Sequence, residues 1–439
     1  MDKVSKSSKN ITPFGGLNFI YNAINRSKID TFIDEKLGYR NFRANYSYSD
    51  IVLSLFGNSL CNGEYISDLE YFKNKFSHQF FTKIPSPDTV EYACQELKTN
   101  TNEETTDKGT VHQFNYDNQK NKALIALCVK TGQLNDREKY TLDFDNVVLE
   151  NEKQDAKKSY KNSNAYHPNF AFIGRLPIHI ENHNGNTPAK YKQFETLERC
   201  FNNLKDNNIE IQHFRADSAS YQKEVIEFIS ENAQYFYIRN ISSQNFISRC
   251  GKIKDWKTIE INNEKKEVAT MIYTPFNGNY SYRIVVTRTI KKNNQIDLIS
   301  ETPYNYYGIM TNNLLFSNQE VIEFYNQRGD AENYNKFLIN DFNIKRLPFM
   351  DFDTNTVFMY LMAMCNILFE WTKIILVKNK TANINLKMRV KAVCFRYITV
   401  ATTFVNHARK KVLQVFSDQE YRFYWIFCEK VKFTKWNTI

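Results

Sequence analysis

The sequence lacks the features that mark a zinc module or an exported protein. Its eight cysteines are far apart and form no C-x-x-C pair, so we expect no zinc chelate of that kind and predict reduced, mostly buried thiols. The N-terminal stretch MDKVSKSSKNITPF is polar, whereas a secretory signal has a charged start followed by an apolar segment. We therefore expect a cytoplasmic protein.

Charge-free apolar runs long enough to span a membrane are also missing, and no internal repeat is visible. The most apolar window, residues 357–377, contains Asn366, Glu370 and Lys373. Such side chains would be costly in lipid but are natural on one side of a buried helix. We predict a core helix and no membrane span.

What the sequence does contain indicates a folded, modular protein with a basic C-terminal end. Hydrophobic residues make up 42% and aromatic residues 15% of the 439 positions, too much for a disordered chain. The length suggests about two to four folding units. Of the net charge of +10, most lies after residue 340, where 16 Lys and Arg face 7 Asp and Glu, a difference of +9. A concentrated basic face suits a polyanion such as nucleic acid.

Hydrophobic periodicity divides the chain. Apolar positions recur every three or four residues from about 15 to 95, which predicts a helical N-terminal domain over 1–110 that ends in the polar linker KTNTNEETTDKG. PSPDTVEYACQEL has the Pro and Asp of a helix start. Beyond about residue 120, short runs such as KALIALCVK, KYTLDFDNVVLE and IEIQHFRADS read as strands that alternate with helices. The fold class is therefore mixed α/β.

Strands predicted over 236–239, 257–261, 268–273, 282–289 and 306–311 follow one another without helices, and we assign those after residue 240 to a β-rich insertion. The predicted parts after the N-terminal domain are a first core segment over 120–240, the insertion over 241–312, a second core segment over 313–378, and a basic helical C-terminal region over 379–439.

Three acidic positions stand where such a core would bring them together. In YTLDFDNVVLE, strand alternation places Asp143 and Asp145 on one face. Asp217 follows a strand in FRADS, where carboxylates often form sites, although Asp is also a common helix cap. Tyr325, Arg328 and Glu332 are spaced to share one helix face, which would also suit a surface ion pair.

The chain resembles the DDE transposases of bacterial insertion sequences, in the cut-and-paste group with a Tyr-x2-Arg-x3-Glu signature. YNQRGDAEN carries that signature. Ile339 stands where the group has a lysine, and Lys336 is the candidate to replace it. Further matching segments, spread over some 400 residues, are GEYISDLEYF, PSPDTV, LDFDN, KQDA, AYHP, NGNTP, FRADS, MCNILFEW and HARKK.

The resemblance implies an RNase H-like core, interrupted by the insertion, in which Asp145, Asp217 and Glu332 bind two Mg²⁺ ions, with Mn²⁺ as a substitute. Hard oxygen ligands suit this metal. Asp143 is the alternative first carboxylate, because Val147 replaces a threonine usual near it. The implied partner is double-stranded DNA, namely terminal inverted repeats and target, bound by a homodimer in the bacterial nucleoid. By the same resemblance the N-terminal domain over 1–110 would be DNA-binding, with helices that read the terminal repeats in a major groove. Arg328 and Tyr325 would contact phosphates or brace the helix.

Other candidates are less specific. Trp256 suits base stacking or core packing. The C-terminal cations, among them Arg409 and Lys410, would follow the DNA backbone. His167, His179 and His183 lack ligand spacing and suggest a structural role. The alternative functions are a catalytically inactive, transposase-derived DNA-binding protein and a structural protein with surface carboxylates.

Overall fold

One mixed sheet of eleven strands runs through the molecule. The computed structural model describes residues 4–5, 10–76, 83–261, 263–278, 280–291, 303–378 and 384–417, and within these ranges the side chains at 277, 330–332, 378, 410 and 411 lie outside the description. The strands are β1 Asn102–Thr105, β2 Val111–Asn115, β3 Lys139–Asn146, β4 Leu149–Glu150, β5 Lys157–Lys158, β6 Asn164–Tyr166, β7 Asn169–Ile173, β8 Leu176–His183, β9 Glu210–Ala216, β10 Tyr235–Arg239, β11 Lys257–Ile261, β12 Glu264–Tyr273, β13 Tyr282–Ile290, β14 Tyr304–Thr311, β15 Thr402–His407 and β16 Lys410–Val415.

Thirteen α-helices accompany these strands in the described part of the chain. They are α1 Leu17–Arg26, α2 Ile29–Leu37, α3 Tyr48–Leu60, α4 Asp68–Lys75, α5 Pro87–Leu97, α6 Asn118–Lys130, α7 Gln193–Lys205, α8 Lys223–Asn232, α9 Gln244–Gly251, α10 Asn318–Asn326, α11 Arg328–Asp341, α12 Phe352–Lys378 and α13 Val390–Val393. The predicted mixed α/β class is confirmed.

The order of the large sheet is β1-β2-β8-β7-β3-β9-β10-β14-β13-β12-β11. Strands β3, β9 and β10 run parallel, and the other neighbours are antiparallel. Strands β7 and β8 are buried along their whole length. A strand covered on both faces needs apolar residues at nearly every position, which NFAFI in β7 illustrates.

Helix α12 lies at the centre of the hydrophobic core. By length and composition it could cross a membrane, but 83% of its most apolar window is buried inside the protein. It packs against β8, α3, α5 and α6, so the core-helix prediction for this window is confirmed. Two of its charged residues form an internal pair, because Lys373 Nζ lies 2.8 Å from Glu370 Oε1.

The N-terminal helices begin where their capping residues predict. Ser47 and Asp50 form a reciprocal capping box at α3, and Ser86 accepts a hydrogen bond from the backbone of Thr89 at α5, whose first residue is Pro87. The buried faces of these helices belong to the same hydrophobic cluster as the sheet and α12. The predicted domain boundaries stay predictions.

Two secondary-structure predictions between residues 98 and 130 are wrong. KALIALCVK was expected as a strand but lies in α6, where Leu124, Leu127 and Cys128 are spaced for one helix face that packs on α2, α12 and β8. A nine-residue apolar run does not distinguish the two structures by itself. Part of the polar linker, Asn102–Thr105, forms β1, which is paired with β2 at the sheet edge.

The predicted insertion strands are present, but they extend the central sheet. Strand β14 pairs with β10 on one side and β13 on the other, followed by β12 and β11. A helix, α9, precedes them, contrary to the expected run of strands alone.

The prediction of a helical C-terminal region is wrong for the described residues 402–415. Alternating side chains there form the hairpin β15–β16, whose turn residues Ala408 and Arg409 both have positive φ angles of 48° and 63°. Thr402 lies against Gly15, where a Cβ atom would overlap the threonine side chain. The hairpin is thus held by the N-terminal segment, a contact that no local pattern reveals.

Candidate active site

Two of the predicted carboxylates lie at the ends of adjacent parallel strands. The register of β3 against β9 pairs Asp143 with Arg215 and Phe144 with Ala216. Continuation of this register sets Asp145 beside Asp217, the residue after β9. Neighbouring strands are about 4.8 Å apart, so the two backbones are close enough for their carboxylates to share a site.

The side chain of Asp217 also caps the turn that follows β9. Its Oδ1 accepts a hydrogen bond of 2.9 Å from the backbone N–H of Ala219, at the start of the short helical turn Ser218–Ser220. The cap holds one carboxylate oxygen in a defined orientation. The predicted helix-cap role and the predicted site role are therefore compatible.

Asp143 lies on the same strand face as Asp145 but in a closed environment. Arg215 donates to both of its carboxylate oxygens, from Nε and Nη2, at 2.7 Å each. The third donor of Arg215, Nη1, binds the backbone carbonyl of Phe324 at 2.7 Å. This bidentate pair ties β3 and β9 to the end of α10.

Asp145 contacts helix α11 through two side chains. Arg328 Nη2 donates to Asp145 Oδ1 at 2.9 Å, and Asn335 Nδ2 donates to Asp145 Oδ2 at 2.8 Å. Arg328 and Asn335 are seven residues apart, two helical turns, and so lie on one face of α11. The Asp145 side chain is 17% exposed, against 2% for Asp143.

Arg328 lies in a strongly acidic environment. Burial alone would lower the pKa of its guanidinium, but the nearby acidic groups, of which Asp145 is the strongest, followed by Tyr325, Asp217 and Asp143, raise that pKa. Arg328 is therefore a fixed cation beside both predicted catalytic aspartates.

Tyr325 braces the same region from the end of α10. Its hydroxyl donates to the backbone carbonyl of Ala216 at 3.1 Å, one residue before Asp217, and its side chain is buried. Burial raises the pKa of the Tyr325 hydroxyl well above its usual range. The predicted common helix is divided here, because α10 ends at Asn326 and α11 begins at Arg328.

Glu332 lies in the first half of α11, one turn after Arg328, but its side chain is outside the described residues. The oxygen donors that are described suit a divalent ion. Asp145 and Asp217 offer hard carboxylate oxygens, and the buried Oδ1 of Asn335 has no hydrogen-bond partner within the described part of the chain. Among the described side chains, no group of three His, Cys, Asp or Glu forms a metal site.

A family model for the transposase DDE domain, group 1, matches residues 3–425, nearly the whole chain. The protein belongs to this DDE transposase family. No curated protein matches the sequence. Among solved structures, a piggyBac transposase synaptic complex with hairpin DNA, determined by cryo-EM, is similar at 10% sequence identity with a TM-score of 0.44. The match covers 90% of this transposase and 82% of that chain.

The remaining predicted DNA contacts of the transposase lie outside the carboxylate cluster. Lys336 is exposed on α11. Trp256 is partly buried, with the Arg288 guanidinium 4.3 Å from its ring centroid and its Nε1 donating to the Ile253 carbonyl at 2.9 Å. Packing thus accounts for much of its environment, and base stacking stays a prediction.

The two C-terminal cations also differ from expectation. Arg409 lies in the turn of the hairpin, not on a helix face, and is exposed. Lys410 begins β16, and its side chain is outside the described residues.

The histidines of the transposase have structural partners, as predicted. Glu181, completely buried on β8, accepts from His179 Nε2 at 3.1 Å and from Arg199 Nε and Nη2 at 2.7 and 2.9 Å. Burial would raise the pKa of Glu181, but hydrogen bonds from His179, His183 and Arg199 lower it well below its usual range. His167 contacts the carbonyl of Thr187 through Nδ1 at 2.9 Å.

Two residues of the site, Arg215 and Asn335, were not predicted from the sequence. Arg215 stands two positions before Asp217 in FRADS, and alternation along β9 could have placed it opposite Asp143. Asn335 stands three positions after Glu332, a spacing that puts it on the signature face of the helix. Both were available from periodicity once the neighbouring elements were known.

Proposed function

We propose that this transposase cleaves DNA at the ends of its element and transfers the strands into target DNA, with Asp145, Asp217 and Glu332 as its catalytic carboxylates. One observation carries the proposal: the parallel register of β3 and β9 sets Asp145 beside Asp217, with Arg328 and α11 directly against them. Asp145 on an inner strand, Asp217 after its neighbour and Glu332 on a later helix support an RNase H-like core.

The proposed centre takes two Mg²⁺ ions, or Mn²⁺ in their place. Asp145, Asp217 and Glu332 would hold the ions through their carboxylate oxygens. Bound there, the ions supply Lewis-acid stabilisation of the charge that develops on phosphodiester oxygens. Two hydrogen bonds, from the backbone N–H of Ala219 to Asp217 and from the side-chain amide of Asn335 to Asp145, hold one oxygen of each carboxylate in place.

Arg328 has two roles in this proposal. In the protein alone it pairs with Asp145, and when DNA is bound its guanidinium would pair with a phosphate beside the scissile bond, for which its planar fork is well suited. Tyr325 positions the end of β9 through the Ala216 carbonyl. Lys336 and the cations of the hairpin turn would contact the DNA backbone.

The partner is double-stranded DNA, and the working form is a homodimer on two paired ends, in the bacterial cytoplasm at the nucleoid. The basic charge after residue 340 supports this choice, because phosphate contacts favour Lys and Arg.

The test uses a DNA fragment that contains the coding gene with its flanking sequence. Wild-type protein should cleave the flanks in Mg²⁺ or Mn²⁺, and Asp217→Ala should lose cleavage while binding the same fragment. Asp136→Ala, an exposed aspartate in a turn, is the matched control and should cleave normally. Retained cleavage in Asp217→Ala contradicts the proposal. Metal-independent binding without cleavage by the wild type would favour the inactive DNA-binding protein.

A further inference from the structure

Asn335 has a position that neither the signature motif nor the family assignment accounts for. It lies on α11 with 3% of its surface exposed, and its Nδ2 contacts Asp145 Oδ2 at 2.8 Å. Its orientation follows from chemistry, because an ionised carboxylate only accepts hydrogen bonds and the amide nitrogen must therefore face it. The amide oxygen is then directed elsewhere.

That oxygen, Asn335 Oδ1, is buried and has no hydrogen-bond partner among the residues that the structure describes. An unsatisfied buried acceptor destabilises the folded state, so native proteins keep few of them. Arg328, which shares the Asp145 carboxylate, lies on the same helix face. The unpaired oxygen thus belongs to the same small cluster as a predicted metal-binding carboxylate.

We infer that Asn335 is a positioning residue of the metal centre: its Nδ2 orients Asp145, and its Oδ1 accepts a hydrogen bond from the hydration shell of the bound ion. Mg²⁺ keeps several of its waters in proteins, and these need acceptors. A neutral amide provides the acceptor without adding negative charge beside Asp145. This inference rests on the function proposed above.

The test measures Mn²⁺ binding to the full-length, DNA-free protein by titration calorimetry. Asn335→Ala should weaken Mn²⁺ binding by about 10- to 100-fold, the usual loss when an outer-shell partner of a metal ligand is removed. Asn340→Ala is the matched control, since Asn340 lies on the same helix and is exposed. Its Mn²⁺ affinity should equal that of the wild type.

A second variant tests whether Asn335 orients Asp145 or only packs helix α11 against the sheet. Asn335→Asp keeps the size of the side chain but replaces the donor by a charged acceptor that repels Asp145. Its metal-free Tm should fall below that of the wild type, and saturating Mn²⁺ should raise its Tm by more than it raises the wild-type Tm, because a cation relieves the repulsion.

Three results would be decisive. In the first, Asn335→Ala binds Mn²⁺ as tightly as the wild type and has a lower Tm both with and without metal. Asn335 would then only connect α11 to β3, and this result would overturn the inference without affecting the proposed function. An equal Mn²⁺-induced Tm shift in Asn335→Asp and wild type would do the same. If the wild type and Asp145→Asn both fail to bind Mn²⁺, the proposed metal centre itself is wrong.

Discussion

Strand β3 carries two aspartates on one face that have opposite environments. Asp143 lies inside the protein, where Arg215 from the neighbouring strand donates hydrogen bonds to both of its carboxylate oxygens. Asp145, two residues nearer the strand end, is partly open and contacts residues of a helix. The comparison separates a carboxylate that joins elements of the fold from one that remains accessible to a ligand.

The two aspartates differ in the free energy that separation from their arginine partners would cost. An ion pair with 2% and 7% side-chain exposure cannot separate without leaving a charge in the interior. The pair between Asp145 and Arg328 is more exposed, at 17% and 10%, so water or an ion can replace the guanidinium at a smaller cost. This is why we assign the first catalytic position to Asp145, and four experiments test the distinction.

The largest expected effect is on stability. Asp143→Ala leaves Arg215 buried without its partner and should lower the free energy of unfolding by about 3–5 kcal/mol, measured by urea denaturation. The double variant Asp143→Leu with Arg215→Met should recover most of that loss, since apolar residues of similar volume often replace a buried pair without cost. Equal instability of single and double variants would show that the site does not behave as a closed pair.

The second effect is on catalysis. Arg328→Ala should slow cleavage of DNA by about 10²- to 10³-fold, the range for loss of one donor that stabilises transition-state charge. Arg328→Lys should recover only part of the rate, because lysine lacks the planar fork. Arg137→Ala, in an exposed turn, is the control. A normal cleavage rate in Arg328→Ala would leave Arg328 a purely structural partner of Asp145.

The third effect is stabilisation by metal. At a hundredfold excess over its Kd, Mn²⁺ should stabilise the protein by about 2.7 kcal/mol, observed as a rise in the denaturation midpoint. Asp145→Asn should lose this rise, whereas the Asp143→Leu, Arg215→Met double variant should keep it. The reverse result would make Asp143 the metal-binding carboxylate.

The smallest effect concerns Tyr325. Tyr325→Phe removes the hydrogen bond to the Ala216 carbonyl and should cost about 0.5–1.5 kcal/mol in unfolding free energy, with a comparably small loss of cleavage rate because the hydroxyl acts only through the end of β9. A large loss of cleavage with little loss of stability would mean that the hydroxyl contacts DNA, the other role that the family resemblance implies.

Much of the architecture was accessible from the sequence, because the deciding forces are local. The capping residues Ser47 and Ser86 mark helix starts by satisfying backbone N–H groups within a few residues. Strands β12, β13 and β14 were predicted close to their observed bounds from residue type alone. KALIALCVK failed because an apolar run of nine residues suits a buried helix as well as a strand.

Backbone periodicity predicts that Asp143 and Asp145 share a strand face and that Arg328 and Glu332 are spaced for one helix face. Periodicity does not predict which aspartate pairs with which arginine. That choice depends on the parallel register of β3 with β9 and on the packing of α11 against β3. The two residues of one pair are 72 positions apart in the sequence, and those of the other pair are 183 positions apart. Such contacts are set by the burial of whole elements, which no local pattern encodes.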